Sequence, residues 1–246
     1  FDANKGAVSA SGLQMVKRDS ALLCKRTMTT FFDYLLVKKD KEKALESIKI
    51  QLADLFGDNM TLEDFEITKK ISKKPNAYKS VPAHITAWQR MVNRVGVTEA
   101  PAVGERFAYI IEKFGKKDKL SDVMVDTALV RERGFDYFNV AKEHYFNLCV
   151  YNPMKVIMGL VYGDVMTRHV LDPKTYENVE TVVAKKGNLL GFFNKDRLTN
   201  KRRWHGLGID EKLAAEIRQL RITDYKVEEE YIDDGGGLID TCKTTM

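Results

Sequence analysis

At 246 residues, 44% of them hydrophobic, the chain is long enough to bury a sizeable core and reads as one or two compact units plus a tail. With 40 basic and 35 acidic residues its net charge is +5, too mild to name a polyanion partner until the cations are located along the chain. No apolar run approaches the roughly 18 residues of a membrane span and no signal-peptide core stands at the N-terminus, so no membrane partner is expected.

Phe1 is not an initiator Met, which suggests a fragment, a processed product or a chain whose preceding part is missing. The cysteines Cys24, Cys149 and Cys242 are odd in number, far apart and free of any CxxC pair. That spacing argues against a zinc or iron–sulfur site and for a reducing compartment. Cys24 and Cys149 sit in apolar helical patterns, where a cysteine is usually a small buried hydrophobe.

The opening FDANKGAVSASG reads as a loop or hairpin arm. From Asp19, apolar residues recur at Leu22, Cys24, Met28, Phe31, Phe32 and Leu35, the spacing of a helix face. After a charged break at Val37 to Asp40, Asp40 caps a second helix with the stripe Leu45, Ile48, Leu52 and Leu55, ended by Gly57. The two helices should pack as a hairpin. DFEITKKISKK alternates like a short strand, and Pro75-Asn76 makes a turn. Ser80 and Pro82 open a helix carrying Ile85, Trp88, Met91, Val92 and Val95, stopped by Gly96. RFAYIIEKF is strand-like and GKKDK is a solvated turn.

From Asp136 to Tyr151 the pattern predicts a helix with Tyr137, Val140, Ala141, Tyr145 and Leu148 inward; Asn152-Pro153 interrupts it, and Met154 to Tyr162 resumes. Beyond Gly163 a basic stretch with aromatics runs from Lys185 to Trp204, and an amphipathic helix covers Asp210 to Leu220. The acidic, Gly-rich EEEYIDDGGG is expected to be mobile. The fold class is α+β, mostly helical, with organisational breaks near residues 58 and 163.

Five segments, in order, resemble the C-terminal third of family B DNA polymerases, most closely those of large DNA viruses and the delta-like group. GLQMVKRDS resembles the family's "KGVxxVRRD" run near the end of the palm, and ALLCKRTMTTFFDYLL the helix after it. DFEITKKISKKPNAY with PAH at Pro82 to His84 resembles the strand entering the thumb, where the family has a basic "SKxL" run, a Tyr and "PHV". GERFAYII resembles "GDRIxYVI", and HYFNLCVYNPMKVI resembles "YYxxxLxPPxxRIL" through Tyr145, Pro153 and Ile157. The resemblance covers roughly residues 10 to 163. It implies the end of a palm at 1–58, a duplex-gripping thumb at 59–163 and a C-terminal extension at 164–246.

This chain departs from the family at Glu105, where Asp is common, and at Lys155 to Ile157, which lack the Arg of "RIL". It also lacks the two cysteine clusters that end cellular delta-type enzymes, which favours a viral or simplified member. The family's "DxxSLYPS", "KxxxNSxYG" and "YxDTDS" motifs are missing too. The resemblance therefore implies that the palm aspartates holding two catalytic Mg²⁺ ions belong to another region, and no catalytic or metal residue is assigned here. Asp19, after Lys17 and Arg18, fits a helix cap or ion-pair partner better than a metal ligand.

A thumb holds primer–template duplex by its backbone, through flexible cations and hydroxyls rather than base contacts. Lys69, Lys70, Ser72, Lys73 and Lys74, with Tyr78, Lys79 and His84, form such a set; on composition alone a charge run is usually a solvated face. Lys17 and Arg18 are expected nearer the primer terminus, and Arg106 and Tyr109 are further backbone candidates, although Tyr109 also fits a packed strand residue and His84 a structural hydrogen-bonder. Trp88, Tyr145 and Phe146 read as core.

KGNLLGFF approaches the sliding-clamp peptide Q-x-x-[IL]-x-x-[FY]-[FY], with Lys186 where Gln is usual and Leu189, Phe192 and Phe193 in the apolar positions. The same residues could instead close a core. Three readings result: the DNA-grip portion of a DNA-directed DNA polymerase, partnered by primer–template DNA, the remaining polymerase region and a sliding clamp or processivity factor; a stand-alone DNA- or clamp-binding protein without catalysis; or a structural helical subunit. The expected location is the host nucleus or cytoplasm for a viral protein, and otherwise intracellular replication sites.

Overall fold

A computed structural model describes residues 8–10, 17–57, 59–176, 210–219, 226–230 and 241–245. The fold is α+β and mostly helical, and it divides into two compact units. One comprises Phe1–Lys17, Leu23–Asn59 and Phe146–Met246; the other comprises Arg18–Leu22 and Met60–Tyr145.

In the first unit, α1 (Leu22–Phe32) runs into a wider π-helical turn, Asp33–Val37. Lys39 then takes a left-handed φ of 54°, the hinge of the expected hairpin. Helix α2 (Lys41–Phe56) begins where its cap predicts, with the Asp40 carboxylate accepting from the Lys43 N–H at 2.9 Å, and ends at Gly57. Both helices turn an apolar face inward: Leu23, Met28, Phe31, Ile48, Ile50, Leu52 and Leu55 are fully buried.

Phe56 of α2 stacks near Phe146 and Tyr176, with ring centroids 5.7 and 6.4 Å away. Helix α8 (Asn152–Tyr162) follows a π-helical turn, Phe146–Tyr151. Its terminal Tyr162 hydroxyl donates to the Lys41 carbonyl at 2.7 Å, and burial with the nearby Asp40 pushes that phenol up to about 12. Gly163, at φ 81°, breaks the chain into α9 (Asp164–Val170).

Helix α10 (Glu211–Gln219) docks through buried Leu213, Ala214 and Ile217. The Tyr34 hydroxyl donates to Glu216 at 3.1 Å, and the Asp210 N–H donates to Glu46 at 2.6 Å. A small antiparallel sheet orders β1 (Val8–Ala10), β6 (Thr241–Thr245) and β5 (Lys226–Glu230), with Val8 opposite Thr244 and Glu228 opposite Lys243. Glu228 to Glu230, expected to belong to a mobile acidic end, are thus strand residues.

The second unit is built on an antiparallel sheet ordered β2 (Ile67–Lys70), β3 (Arg106–Ile111) and β4 (Met124–Asp126). Helix α3 (Leu62–Phe65) precedes β2, so the expected strand begins only at Ile67. The Asp64 carboxylate accepts the Thr61 N–H at 3.0 Å, stabilising a helical turn where alternation alone suggests extension. Helix α4 (Ala83–Val95) buries Ile85, Trp88 and Met91 as its pattern requires, and the Trp88 indole donates to the Pro101 carbonyl at 2.9 Å. Short helices α5 (Leu120–Val123), α6 (Thr127–Arg133) and α7 (Lys142–Tyr145) complete the unit.

The helix expected over Asp136 to Tyr151 is instead a 3₁₀ turn at Phe135–Tyr137, an extended stretch that bridges Glu112 to Val140, and then α7 with its π-helical continuation. Tyr137 is 68% exposed and Leu148 41% exposed, so neither is the inward residue expected. The π-helical widening shifts Leu148 off the face that buries Cys149 and Val150. Pro153 does not end the run: the wider π-helical turn at Phe146–Tyr151 directly precedes it, and α8 continues from Asn152.

One buried hydroxyl ties the sheet to its surroundings. The β2–β3 register pairs Ile67 with Tyr109, and the next rung would pair Phe65 with Ile111. Tyr145, fully buried, inserts its hydroxyl there, accepting from the Ile111 N–H at 3.0 Å and donating to the Phe65 carbonyl at 2.7 Å.

Candidate nucleic-acid interface

Five lysines fall within residues 69–79, and the local fold keeps most of them in water. Strand β2 is an outer strand of its sheet; it presents Lys70 exposed and Lys69 half-buried. Ile71, fully buried, anchors the strand's end by accepting from the Gly104 N–H at 2.7 Å and donating to the Glu105 carbonyl at 2.9 Å. Past this anchor Ser72, Lys73 and Lys74 are exposed.

The loop then closes on itself. A 3₁₀ turn at Pro75–Ala77 brings Tyr78 back, and its hydroxyl accepts from the Lys73 N–H at 3.1 Å. Lys79 and Ser80 follow, exposed, before Pro82 starts α4. Tyr78 therefore holds the backbone of the lysine loop.

His84 lies half-buried in the first turn of α4. Burial and the Lys69 ammonium lower its pKa, against the pull of a hydrogen bond with the Lys70 backbone. The imidazole thus joins α4 to β2 and is favoured neutral. Arg106 stands opposite Lys70, with its guanidinium turned along the strand to the Thr68 hydroxyl at 3.2 Å and the Thr68 carbonyl at 2.9 Å. That geometry keeps Arg106 exposed and charged beside Lys70, with part of its donor fork already engaged. The Thr68 hydroxyl also contacts the Arg18 carbonyl at 3.3 Å, which brings Arg18 to the same strand.

The electrostatic contrast within this unit is sharp. Among the described residues, no carboxylate lies within ion-pair reach of Lys69, Lys70, Lys73, Lys74 or Lys79. Three arginines on α4 and α6 are paired: Arg94 to Asp126 at 2.6 Å and Glu132 at 3.3 Å, Arg90 to Asp122 at 3.7 Å, and Arg131 to Glu66 at 2.8 Å. Three paired arginines thus contrast with a run of lysines that no carboxylate meets among the described residues. Such a run attracts polyanions without reading their sequence.

One of the two readings left open for Tyr109 is favoured. Tyr109 is 2% exposed on the core face of β3, and burial with the nearby Asp19 raises its hydroxyl pKa, so it is a packing residue rather than a backbone contact. Lys17 groups with the other unit. The sequence reading missed the Arg94–Asp126 pair and the bridging role of Tyr145; neither has a local signal, because each depends on residues at least 32 positions away. Lys186, Leu189, Phe192 and Phe193, the clamp-motif candidates, lie outside the described residues.

Among the described residues no three His, Cys, Asp or Glu side chains converge into a group able to hold a metal ion. The donors present do not fit a catalytic divalent-metal site, so no chemical step through a metal is derived from them. No helix among the described residues is long and apolar enough to cross a membrane.

The profile of DNA polymerase family B matches residues 2–161. The DNA polymerase delta catalytic subunit of Candida albicans is 27% identical over 191 residues, which cover 78% of this chain and 18% of that protein. Its namesake in Caenorhabditis elegans is 25% identical over 189 residues, 76% of this chain and 17% of that protein. The one from Oryza sativa subsp. japonica is 33% identical over 112 residues, 46% of this chain and 10% of that protein. The chain thus spans less than a fifth of these curated relatives.

Proposed function

The chain belongs to DNA polymerase family B, and we propose that it is the duplex-holding portion of a DNA-directed DNA polymerase active in replication. The observation that carries this reading is the set of five lysines at 69–79 without carboxylate partners among the described residues, in a unit where Arg90, Arg94 and Arg131 are paired. Lys70, Ser72, Lys73, Lys74, Lys79 and Arg106 contact phosphates; Tyr78 and His84 hold the elements that present them. We assign residues 1–58 to the end of the palm, 59–163 to the thumb and 164–246 to a C-terminal extension. The relatives' length supports placing the nucleotidyl-transfer chemistry and its Mg²⁺ in polymerase regions outside this chain. A sliding clamp at Lys186, Leu189, Phe192 and Phe193 stays part of the proposal, as does action at intracellular replication sites.

Binding of fluorescent duplex DNA of unrelated sequences, measured over a range of salt, tests the grip. Five phosphate contacts at about 0.9 each give a log Kd versus log salt slope of about 4.5, the same for every sequence. Binding that ignores salt, or that depends on sequence, would overturn it.

A further inference from the structure

Beyond β3 the second unit carries another run of cations, in different company. The loop after the strand exposes Lys113, Lys116, Lys117 and Lys119, and its tip is closed by the Asp118 carboxylate, which accepts from the Gly115 N–H at 2.7 Å. Among the described residues no carboxylate comes within ion-pair reach of these lysines or of Arg133. Arg106 and Lys70 face each other at the opposite end of β3, about 17 Å away along its six residues at about 3.4 Å each. The two cationic runs are therefore separate.

Beside the new run stands Tyr137, at 68% the most exposed aromatic ring among the described residues. Its 3₁₀ turn is fastened to the base of the lysine loop: the Asn139 carbonyl accepts from the Lys113 N–H at 2.7 Å, and Val140 bridges to Glu112. Phe135 anchors the turn by stacking on buried Phe65 at a centroid distance of 6.0 Å, while Tyr137 is left in water. Gly134, at φ 87°, ends α6 and folds the chain so that the Arg133 guanidinium lies 5.5 Å from the Tyr137 ring centroid. Phe138 meets the same ring edge-on at 5.2 Å. A lone exposed tyrosine is ordinary. This one is held by Arg133 and Phe138 on an anchored turn, with five cations around it and Asp136 as the turn's own carboxylate.

We propose that this edge binds single-stranded nucleic acid, with an unpaired base stacked on Tyr137 and the flanking phosphates on Lys113, Lys116, Lys117, Lys119 and Arg133. Flexible cations alone attract any polyanion. The exposed ring adds a preference, because bases in a duplex are stacked on one another and offer no face to a side chain, whereas an unpaired base does. Every base has such a face, so the site takes single strands of any sequence. It uses none of the residues at 69–79, and it stands or falls apart from the duplex-holding reading.

The test uses the full chain and a short oligothymidylate in which iodouracil replaces some thymines. Irradiation of the complex should join iodouracil to Tyr137, identified by mass spectrometry of the linked peptide; the same bases placed in a duplex should give no adduct there. This readout needs no variant. Tyr137→Ala should weaken oligothymidylate binding about 5- to 150-fold, the worth of one stacked base, while Tyr137→Phe retains it. Lys116→Ala with Lys117→Ala should lower the salt slope of single-strand binding by about 1.4, at about 0.7 per contact. Lys73→Ala with Lys74→Ala should leave the Tyr137 adduct in place. Adducts only at other residues, unchanged binding by Tyr137→Ala, or displacement of the oligothymidylate by polyglutamate as readily as by unlabelled oligothymidylate would overturn the proposal.

Discussion

Replacing Tyr145 with Phe removes a single oxygen from a fully buried site. That oxygen substitutes for a ladder rung, holding the Ile111 N–H and the Phe65 carbonyl. The ring would stay, packed 4.9 Å from Phe65, so the apolar contribution is unchanged. Two buried backbone groups would lose their partner, and each orphan costs roughly 1–3 kcal/mol, so Tyr145→Phe costs about 2–6 kcal/mol. Against a typical stability of about 5–15 kcal/mol, this is a large fraction for one atom. Urea unfolding followed by tryptophan fluorescence measures it, with the midpoint falling and the slope retained. Amide hydrogen exchange at Ile111 should accelerate by the same free energy if opening there is global. A loss below about 0.5 kcal/mol with unchanged Ile111 protection would show that the strands close directly and that the hydroxyl is not structural.

Substituting Lys73 and Lys74 together with Ala should weaken duplex binding equally for all sequences and reduce the salt slope by about 2, read by anisotropy titrations. Asp126→Ala removes both the 2.6 Å Arg94 pair and the N-cap contact to the Leu129 N–H at 2.8 Å; a loss of about 2–5 kcal/mol is expected in the same urea assay. His84 and His144 both have pKa values below the ordinary 6.5, His84 mainly through burial and then Lys69, His144 through burial. The unfolded state then binds more protons at mildly acid pH, so stability should be full above about 6.5 and fall as pH drops through the folded-state values. His84→Gln with His144→Gln should flatten that dependence. Arg106→Lys should lower affinity and loosen β2, because a lysine cannot make the two contacts with Thr68 at once; backbone exchange at Thr68 reads it.

Much of the local structure is legible in the residues. Asp40, Gly57, the Ile85–Trp88–Met91 stripe and the RFAYII run each carry a signal confined to a few positions, and each appears where that signal places it. The lysine cluster is equally plain as composition, but its meaning is not. Whether a lysine is neutralised depends on carboxylates brought in by the fold, and only the structure separates Lys73, unpaired among the described residues, from the paired Arg94. The errors also share a cause. Over 135–151 the apolar spacing resembles a helix, yet Val140 is tied to Glu112 by a bridge and the helix widens at Phe146. Helical periodicity has no term for a π-helical turn, so Leu148 is assigned to the wrong face. Family resemblance reaches further than periodicity because it compares whole segments in order; residues 2–161 match on that basis.

Strand β2 is an outer member of its sheet, and outer strands invite pairing with other chains. Lysine is among the residues that most effectively discourage such pairing, since a second strand would bring ammonium groups into register beside one another. Lys69 and Lys70 thus give β2 a protective charge as well as an attraction for phosphate. Like charges on two such edges repel each other, and in the proposed duplex-holding role DNA would neutralise them. Replacing both with valine would therefore show itself first as self-association on concentration, before any loss of folding stability.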